Sequence, residues 1–130
     1  MDLGLQGARA VITGASRGIG RVIAETLVAE GATVSICART EDTLNEATTD
    51  LGDAAIGRAL DVGDHDAVAD WVAWSAEQMG GIDIVVSNAS ALGGTPRSPE
   101  GWRKNFEIDV LSTVAVVDAA LPHLEASGMG

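Results

Sequence analysis

Runs rich in Val, Ile and Ala alternate along this chain with runs whose apolar residues recur every three or four positions. Ala8 to Thr13 (ARAVIT), Thr33 to Ala38 (TVSICA), Ala54 to Leu60 and Ile82 to Ser87 (IDIVVS) read as four strands. The first, second and fourth are almost continuously apolar, as in a sheet covered on both faces. Ile19, Val22, Ile23 and Leu27 form a helical stripe that Gly31 ends. Leu44, Ala47 and Leu51 form a second stripe behind the acidic first turn of Glu41 and Asp42. Val68, Val72, Ala76 and Met79 form a third, closed by Gly80 and Gly81. A last helix is expected from the Ser98-Pro99 start to about Glu125, with Pro122 kinking or shortening its final turn. Val114, Val116, Val117 and Leu121 spread around that helix and predict burial on several sides. Strand and helix in strict alternation predict right-handed βαβ crossovers, hence an α/β, doubly wound parallel sheet of about four strands. The one long irregular stretch, Asn88 to Arg97, follows a strand end, where open α/β sheets bind ligands.

The 130 residues amount to one domain. Acids outnumber bases 19 to 8, a formal charge of -11 that argues against a nucleic-acid or anionic-membrane partner. The single cysteine, Cys37, excludes an internal disulfide and suits a reducing, cytoplasmic setting. No apolar run approaches the roughly 18 residues that span a bilayer, and residues 1–7 lack the basic and apolar parts of a secretion signal. His65 and His123 stand alone, without metal-ligand spacing to Cys37, so no metal is expected and both read as surface or capping residues.

The most informative segment lies between the first strand and the first helix: Thr13-Gly14-Ala15-Ser16-Arg17-Gly18-Ile19-Gly20. Glycines there permit a tight turn and a close backbone approach, and the helix start offers N–H groups and a positive dipole end to a pyrophosphate. The spacing is TGxxxGxG rather than GxGxxG. TGASRGIG resembles the cofactor loop of the short-chain dehydrogenase/reductase family. Leu60-Asp61-Val62, Ser87-Asn88-Ala89-Ser90 and the segment Trp102 to Pro122 resemble that family in the same order. The resemblance covers essentially the whole chain. It implies a Rossmann-like fold, of which this is the N-terminal part of a larger sheet, and a nicotinamide dinucleotide cofactor.

The second strand ends on Ala38, with Arg39 next, where an NAD-binding unit needs a carboxylate for the ribose hydroxyls. Arg39 and Arg17 match positions where NADP(H)-preferring members carry basic residues, and a guanidinium suits a 2′-phosphate. NADP is therefore expected over NAD, with Glu41 and Asp42 near enough to oppose the phosphate. The resemblance places Asp61 and Val62 at the adenine, and Asn88, Ala89 and Ser90 on the nicotinamide side. Gly14, Ser16, Gly18, Ile19 and Gly20 form the phosphate cradle. Ser87 and Ser90 depart from the family's NNAG; serine is small enough for the turn but lacks glycine's freedom at positive φ. Asp61 and Asp64 can equally serve as turn and helix-start residues.

The family's chemistry uses a tyrosine as acid or base, a lysine four residues on, a serine and a relay asparagine. This chain has no tyrosine and a single lysine, Lys104, outside any YxxxK pattern. It is expected to be the cofactor half of a longer oxidoreductase acting on a small carbonyl or secondary alcohol, and inactive alone. Asp109 stands where the family has its relay asparagine. Trp102, Phe106, Asp109 and Thr113 are expected on one helical face, with Asn105 a poorer relay candidate. Trp71, Trp74, Trp102 and Phe106 read as packing or interface residues, and the family's use of the last helices points to a homo-oligomer. The alternatives are a non-catalytic dinucleotide-binding or sensing module, and an α/β domain with no ligand. The substrate is not legible in these residues.

Overall fold

The computed structural model describes residues 1–91 and 95–129. Four parallel strands, β1 (Arg9–Thr13), β2 (Thr33–Ala38), β3 (Ala55–Ala59) and β4 (Ile84–Val86), lie in the order β3-β2-β1-β4. Helices α1 (Gly18–Ala29), α2 (Glu41–Leu51) and α3 (His65–Met79) make the crossovers. The chain builds outward from β1 through β2 to β3, then crosses back to place β4 on the other side of β1. That reversal opens a crevice beyond the strands' C-terminal ends, between β1 and β4.

Both faces of the sheet are covered. Ala10, Ile12, Val34 and Ile36 pack with Ala24, Leu44 and Ala47 on the α1–α2 side. Val11 and Cys37 pack with Val68, Trp71, Val72 and Val116 on the other. A closed hydroxyl chain pins α3 to β2. Ser75 Oγ donates to the Trp71 carbonyl (2.7 Å), so Ser35 Oγ donates to Ser75 (2.7 Å) and accepts from Trp71 Nε1 (3.1 Å). Every polar atom of this fully buried set is thereby satisfied.

The doubly wound architecture agrees with expectation, and several details differ. On α1 the inward residues are Gly20, Ile23, Ala24 and Leu27, while Ile19 and Val22 are exposed. The stripe is rotated because Gly20 and Ala24 set the closest approach to the sheet. β4 is shorter than expected, and a 3-10 turn (Gly52–Ala54) precedes β3. The long last helix is interrupted: α4 (Pro99–Phe106) leads through a π-helical turn (Glu107–Leu111) into α5 (Ser112–Ser127). Pro122 does not end α5, which continues to Ser127 and closes on Gly128 at φ 73°. Pro122 is solvent-exposed, so water can take the carbonyl its missing N–H leaves.

The π turn also corrects the expected face. A turn wider than 3.6 residues makes steps of four, rather than three and four, the repeat of each side. Trp102, Phe106, Val110 and Val114 accordingly point to solvent and continue through Val117 and Leu121. Asn105, Asp109 and Thr113 instead face the chain that follows β4. Ser112, Val116 and Ala120 are the buried residues of α5, so this helix is buried on one side, not several. Trp71 is core, and Trp74 lies half-buried under the Arg58 guanidinium, 4.1 Å from its ring centre.

Candidate functional site

The crevice holds a cavity of about 440 Å³. Its floor comes from residues just past the ends of β1, β2, β3 and β4, since parallel strands deliver all four connections to one edge. Gly14, Ser16, Arg17, Gly18 and Ile19 line it from the glycine loop, Arg39 from the end of β2, Asp61 and Val62 from behind β3, and Asn88, Ala89 and Ser90 from behind β4. Gly20 lies beneath the loop and is buried, and Asp109 is outside the lining. Cys37, Thr40, Thr43, Leu60, Ala91 and Ile108 also line it, and the sequence singled out none of them for the site.

The loop is held from two sides. Gly14 N and Ala15 N donate to the Cys37 carbonyl at 3.0 and 3.3 Å, tying the turn to β2. Asn88 Nδ2 donates to the Gly14 carbonyl (3.0 Å) and the Thr13 carbonyl (3.3 Å). Thr13 Oγ1 accepts from both Asn88 N and Ala89 N at 3.0 Å. This hydroxyl joins the first and third motifs across 75 residues. A threonine just before a glycine turn is the only trace of it in the sequence.

The clasp explains two glycines. Gly14 has φ +67°, and a Cβ there would lie 2.9 Å from Ala89 Cα. A Cβ on Gly20 would lie 2.4 Å from the Gly14 carbonyl oxygen and 2.5 Å from Asn88 Nδ2, between donor and acceptor. With no side chain in the way, α1 starts directly under the turn. It starts on Arg17 with no side-chain cap, leaving its first N–H groups toward the cavity's glycine loop. α2 also begins uncapped, at Thr40.

Charge is arranged unevenly. Arg17 and Arg39 line the cavity, and among the described residues neither forms an ion pair. Asp61 accepts from Gly63 N (2.8 Å) through Oδ1, so it makes a turn and lines the cavity at once. The start of α3 is capped by Asp64, which accepts from Ala67 N (3.1 Å). His65 is therefore not the cap. It is half-buried, with Nε2 unpartnered among the described residues. Burial pushes the Cys37 thiol up to about 12, which makes it a packing residue rather than a nucleophile. No group of three or more His, Cys, Asp or Glu suited to a metal occurs among the described residues.

Asp109 and Asn105 both act as acceptors. Asp109 Oδ1 takes Ala91 N (2.8 Å), and Asn105 Oδ1 takes Thr95 Oγ1 (2.6 Å).

A glycine turn running into an uncapped helix start, at the point where a parallel sheet reverses its order, defines a Rossmann-like nucleotide-binding fold. The profile of the short chain dehydrogenase family matches residues 8–130. The chain belongs to that family. It is 40% identical to an isoepoxydon dehydrogenase of Penicillium expansum, across 98% of this chain and 51% of that protein. It is 36% identical to a sorbitol dehydrogenase of Cereibacter sphaeroides, across 97% of this chain and 50% of that one. Among solved structures, the L-sorbose reductase of Gluconobacter frateurii, complexed with NADPH and L-sorbose, superposes with a TM-score of 0.91. It shares 34% identity, over 98% of this chain and 51% of that one. The chain thus spans about half the length of the curated relatives it matches. Among the described residues, no helix is long and apolar enough to cross a membrane.

Proposed function

We propose that this chain is the cofactor-binding half of an NADP(H)-dependent oxidoreductase that interconverts a small carbonyl compound and a secondary alcohol. The observation that carries this is the pairing of the glycine cradle with Arg17 and Arg39 in one cavity, where β2 ends on Ala38 instead of an acid. The residues fit the dinucleotide. Gly14 and Gly20 let the turn close against Ala89 and let α1 begin directly beneath it, and the α1 start supplies N–H donors. Arg39 and Arg17 would clamp the 2′-phosphate, Asp61 and Val62 would meet the adenine, and Asn88, Ala89 and Ser90 would flank the nicotinamide. When bound, the nicotinamide supplies or accepts a hydride. The NADPH held by the sorbose reductase, and the dehydrogenase names of the relatives, support the reading.

These 130 residues contain no tyrosine, and Lys104 stands exposed on α4. We place the acid that protonates the substrate oxygen in the other half of the protein, so the chain alone binds cofactor without turning it over. A reducing, cytoplasmic compartment suits the free Cys37.

Calorimetric titration with NADPH and NADH tests the cofactor. NADPH is expected to bind more tightly. Arg39→Asp should weaken NADPH by roughly tenfold or more, about 1.4 kcal/mol or above, and leave NADH unchanged or improved. Equal affinities in the parent, or an unaltered ratio in the variant, would sink the assignment of NADP.

The same family reading includes a homo-oligomer. The exposed stripe of Trp102, Phe106, Val110, Val114, Val117 and Leu121 supports it, because so continuous an apolar strip is rarely left to water. Sedimentation of the whole protein is expected to give a multiple of the protomer mass. Trp102→Glu with Phe106→Glu should shift it to the monomer, and a monomeric parent would refute the oligomer.

A further inference from the structure

A smaller pocket, of about 230 Å³, opens at the end of the sheet away from the crevice, between the starts of β2 and β3 and the last turn of α3. Its place follows from how α3 is attached. Ser75 bonds to Ser35 and pins the helix to the middle of β2. One helical turn after Ser75 and two residues before Ser35, Met79 and Thr33 line the pocket instead. β3 supplies the rest of an apolar floor. Arg58 reaches the Trp74 ring of α3, and alternation along a strand puts Ile56 on that same face. Ala54, Ile56 and Met79 are all half-buried.

The rim is polar and exposed, and consists of Thr33, Asp53 and Gln78. Among the described residues, none of the three is hydrogen-bonded or ion-paired through its side chain. Among them, too, no cation lines the pocket. Arg9 stands beside Thr33 on the neighbouring strand, but its guanidinium is bound to Asp83 and the Gly80 carbonyl. Arg58 is held over Trp74. The rim thus offers a carboxylate, a hydroxyl and an amide oxygen above a short apolar floor. A primary ammonium has three N–H donors and one positive charge, which match such a set of acceptors. A protein partner is a poorer fit. Stable interfaces bury about 1,000 Å² or more, and none of the large exposed apolar side chains lines this pocket.

We propose that this pocket is a binding site for a small primary aliphatic amine, its alkyl stem on Ala54, Ile56 and Met79 and its ammonium among Asp53, Thr33 and Gln78. Asp53 supplies the charge that selects an ammonium over a neutral alcohol of the same length. The pocket shares no lining residue with the cofactor cavity, which opens past the other ends of the strands. The amine site therefore stands whether or not the dinucleotide assignment does.

Methyl NMR on the whole protein carrying this chain tests it, with n-pentylamine, n-pentanol and pentanoate as probes of similar length. At neutral pH the amine is charged. Pentylamine is expected to shift the methyl signals of Ala54, Ile56 and Met79 saturably, in the millimolar range, and to leave Ala89 in the cofactor cavity unmoved. Pentanol should bind at least about tenfold more weakly, and pentanoate not at all. Asp53→Asn should weaken pentylamine about tenfold and leave pentanol unchanged. Ile56→Ala is the second variant, and should weaken amine and alcohol alike. The absence of a saturable shift overturns the proposal, as does equal affinity for amine and alcohol. Tighter binding of pentanoate would give the pocket to Arg58 and likewise overturn it. Unchanged pentylamine affinity in Asp53→Asn would remove the carboxylate from the site, with the same consequence. Tighter binding of Nα-acetyl-lysine amide than of pentylamine would assign the pocket to a lysine side chain of a partner protein, against the small amine.

Discussion

Gly20→Ala is expected to lower NADPH affinity by at least about 100-fold, a loss near 2.7 kcal/mol. The new methyl would sit 2.4 Å from the Gly14 carbonyl oxygen and 2.5 Å from Asn88 Nδ2, closer than any carbon tolerates. Neither neighbour is a flexible end that can swing away. The carbonyl is backbone in a turn tied to Cys37, and the amide is the donor that holds that turn. Relief requires α1 to withdraw from the loop or Asn88 to release it. Either movement would draw the helix N–H groups away from the diphosphate proposed to lie there and loosen the wall at Ala89. Overpacking of this kind also costs roughly 1–3 kcal/mol of folding stability. Gly52→Ala is the control. Gly52 has φ +84° with nothing within 4 Å of a built Cβ, so alanine there strains the backbone without touching the site. Calorimetry for binding and thermal melts for stability check both. Gly20→Ala with parental affinity would mean that the cradle does not hold the phosphates.

Sequence and structure agree best where the signal is local. The turn from β1 into α1 announces itself by glycine spacing, and each βα connection by a strand-like run ending in turn residues. The cavity-lining positions 14, 16 to 19, 39, 61, 62 and 88 to 90 follow, because a parallel sheet brings the ends of all its strands to one edge. Contacts between distant segments left no such trace. Thr13 looks like the last residue of a strand, yet its hydroxyl organises Asn88 and Ala89. Ile19 and Val22 fit an apolar helical stripe, but the stripe is displaced by how closely Gly20 lets α1 approach. The π turn was illegible because Glu107–Leu111 holds no Gly or Pro to mark it off from the helix on either side. The extra width comes with a contact from Asp109 to Ala91, 18 residues away, which only the folded chain assembles.

Arg9→Ala is expected to lower folding stability by roughly 3 kcal/mol, or about 10 °C in Tm. The pair it breaks lies at the opposite end of the sheet from the cavity. Arg9 Nε meets Asp83 Oδ2 at 2.8 Å and Arg9 Nη2 meets Asp83 Oδ1 at 2.9 Å, a bidentate pair, while Nη1 donates to the Gly80 carbonyl at 2.6 Å. Arg9 N also donates to Asp83 Oδ2 at 2.9 Å. The guanidinium thus joins β1 to the turn between α3 and β4, and it lies where a Cβ on Gly81 would come within 2.6 Å of Nη1. The Asp83 side chain is only 3% exposed, so removing the arginine strands a carboxylate away from water.

The Arg9 guanidinium holds the Asp83 carboxyl below the usual carboxylate range, helped by the Arg9 N–H and Ser127, against the opposing effect of burial. A depressed carboxyl stabilises the fold fully above its unfolded value, near 4, and loses that contribution as pH falls through the lower folded value. Asp83 in turn raises Arg9, whose contribution would fade only far above neutral pH. The stability difference between the parent and Asp83→Asn should therefore be constant from about pH 5 to 8 and shrink below about pH 4. Urea unfolding at pH 7 and pH 3 measures it. A difference that persists at pH 3 would show that the pair acts through packing rather than charge. NADPH affinity at pH 7 should be unchanged in Asp83→Asn, because the clamp and the cavity sit at opposite ends of the same strands.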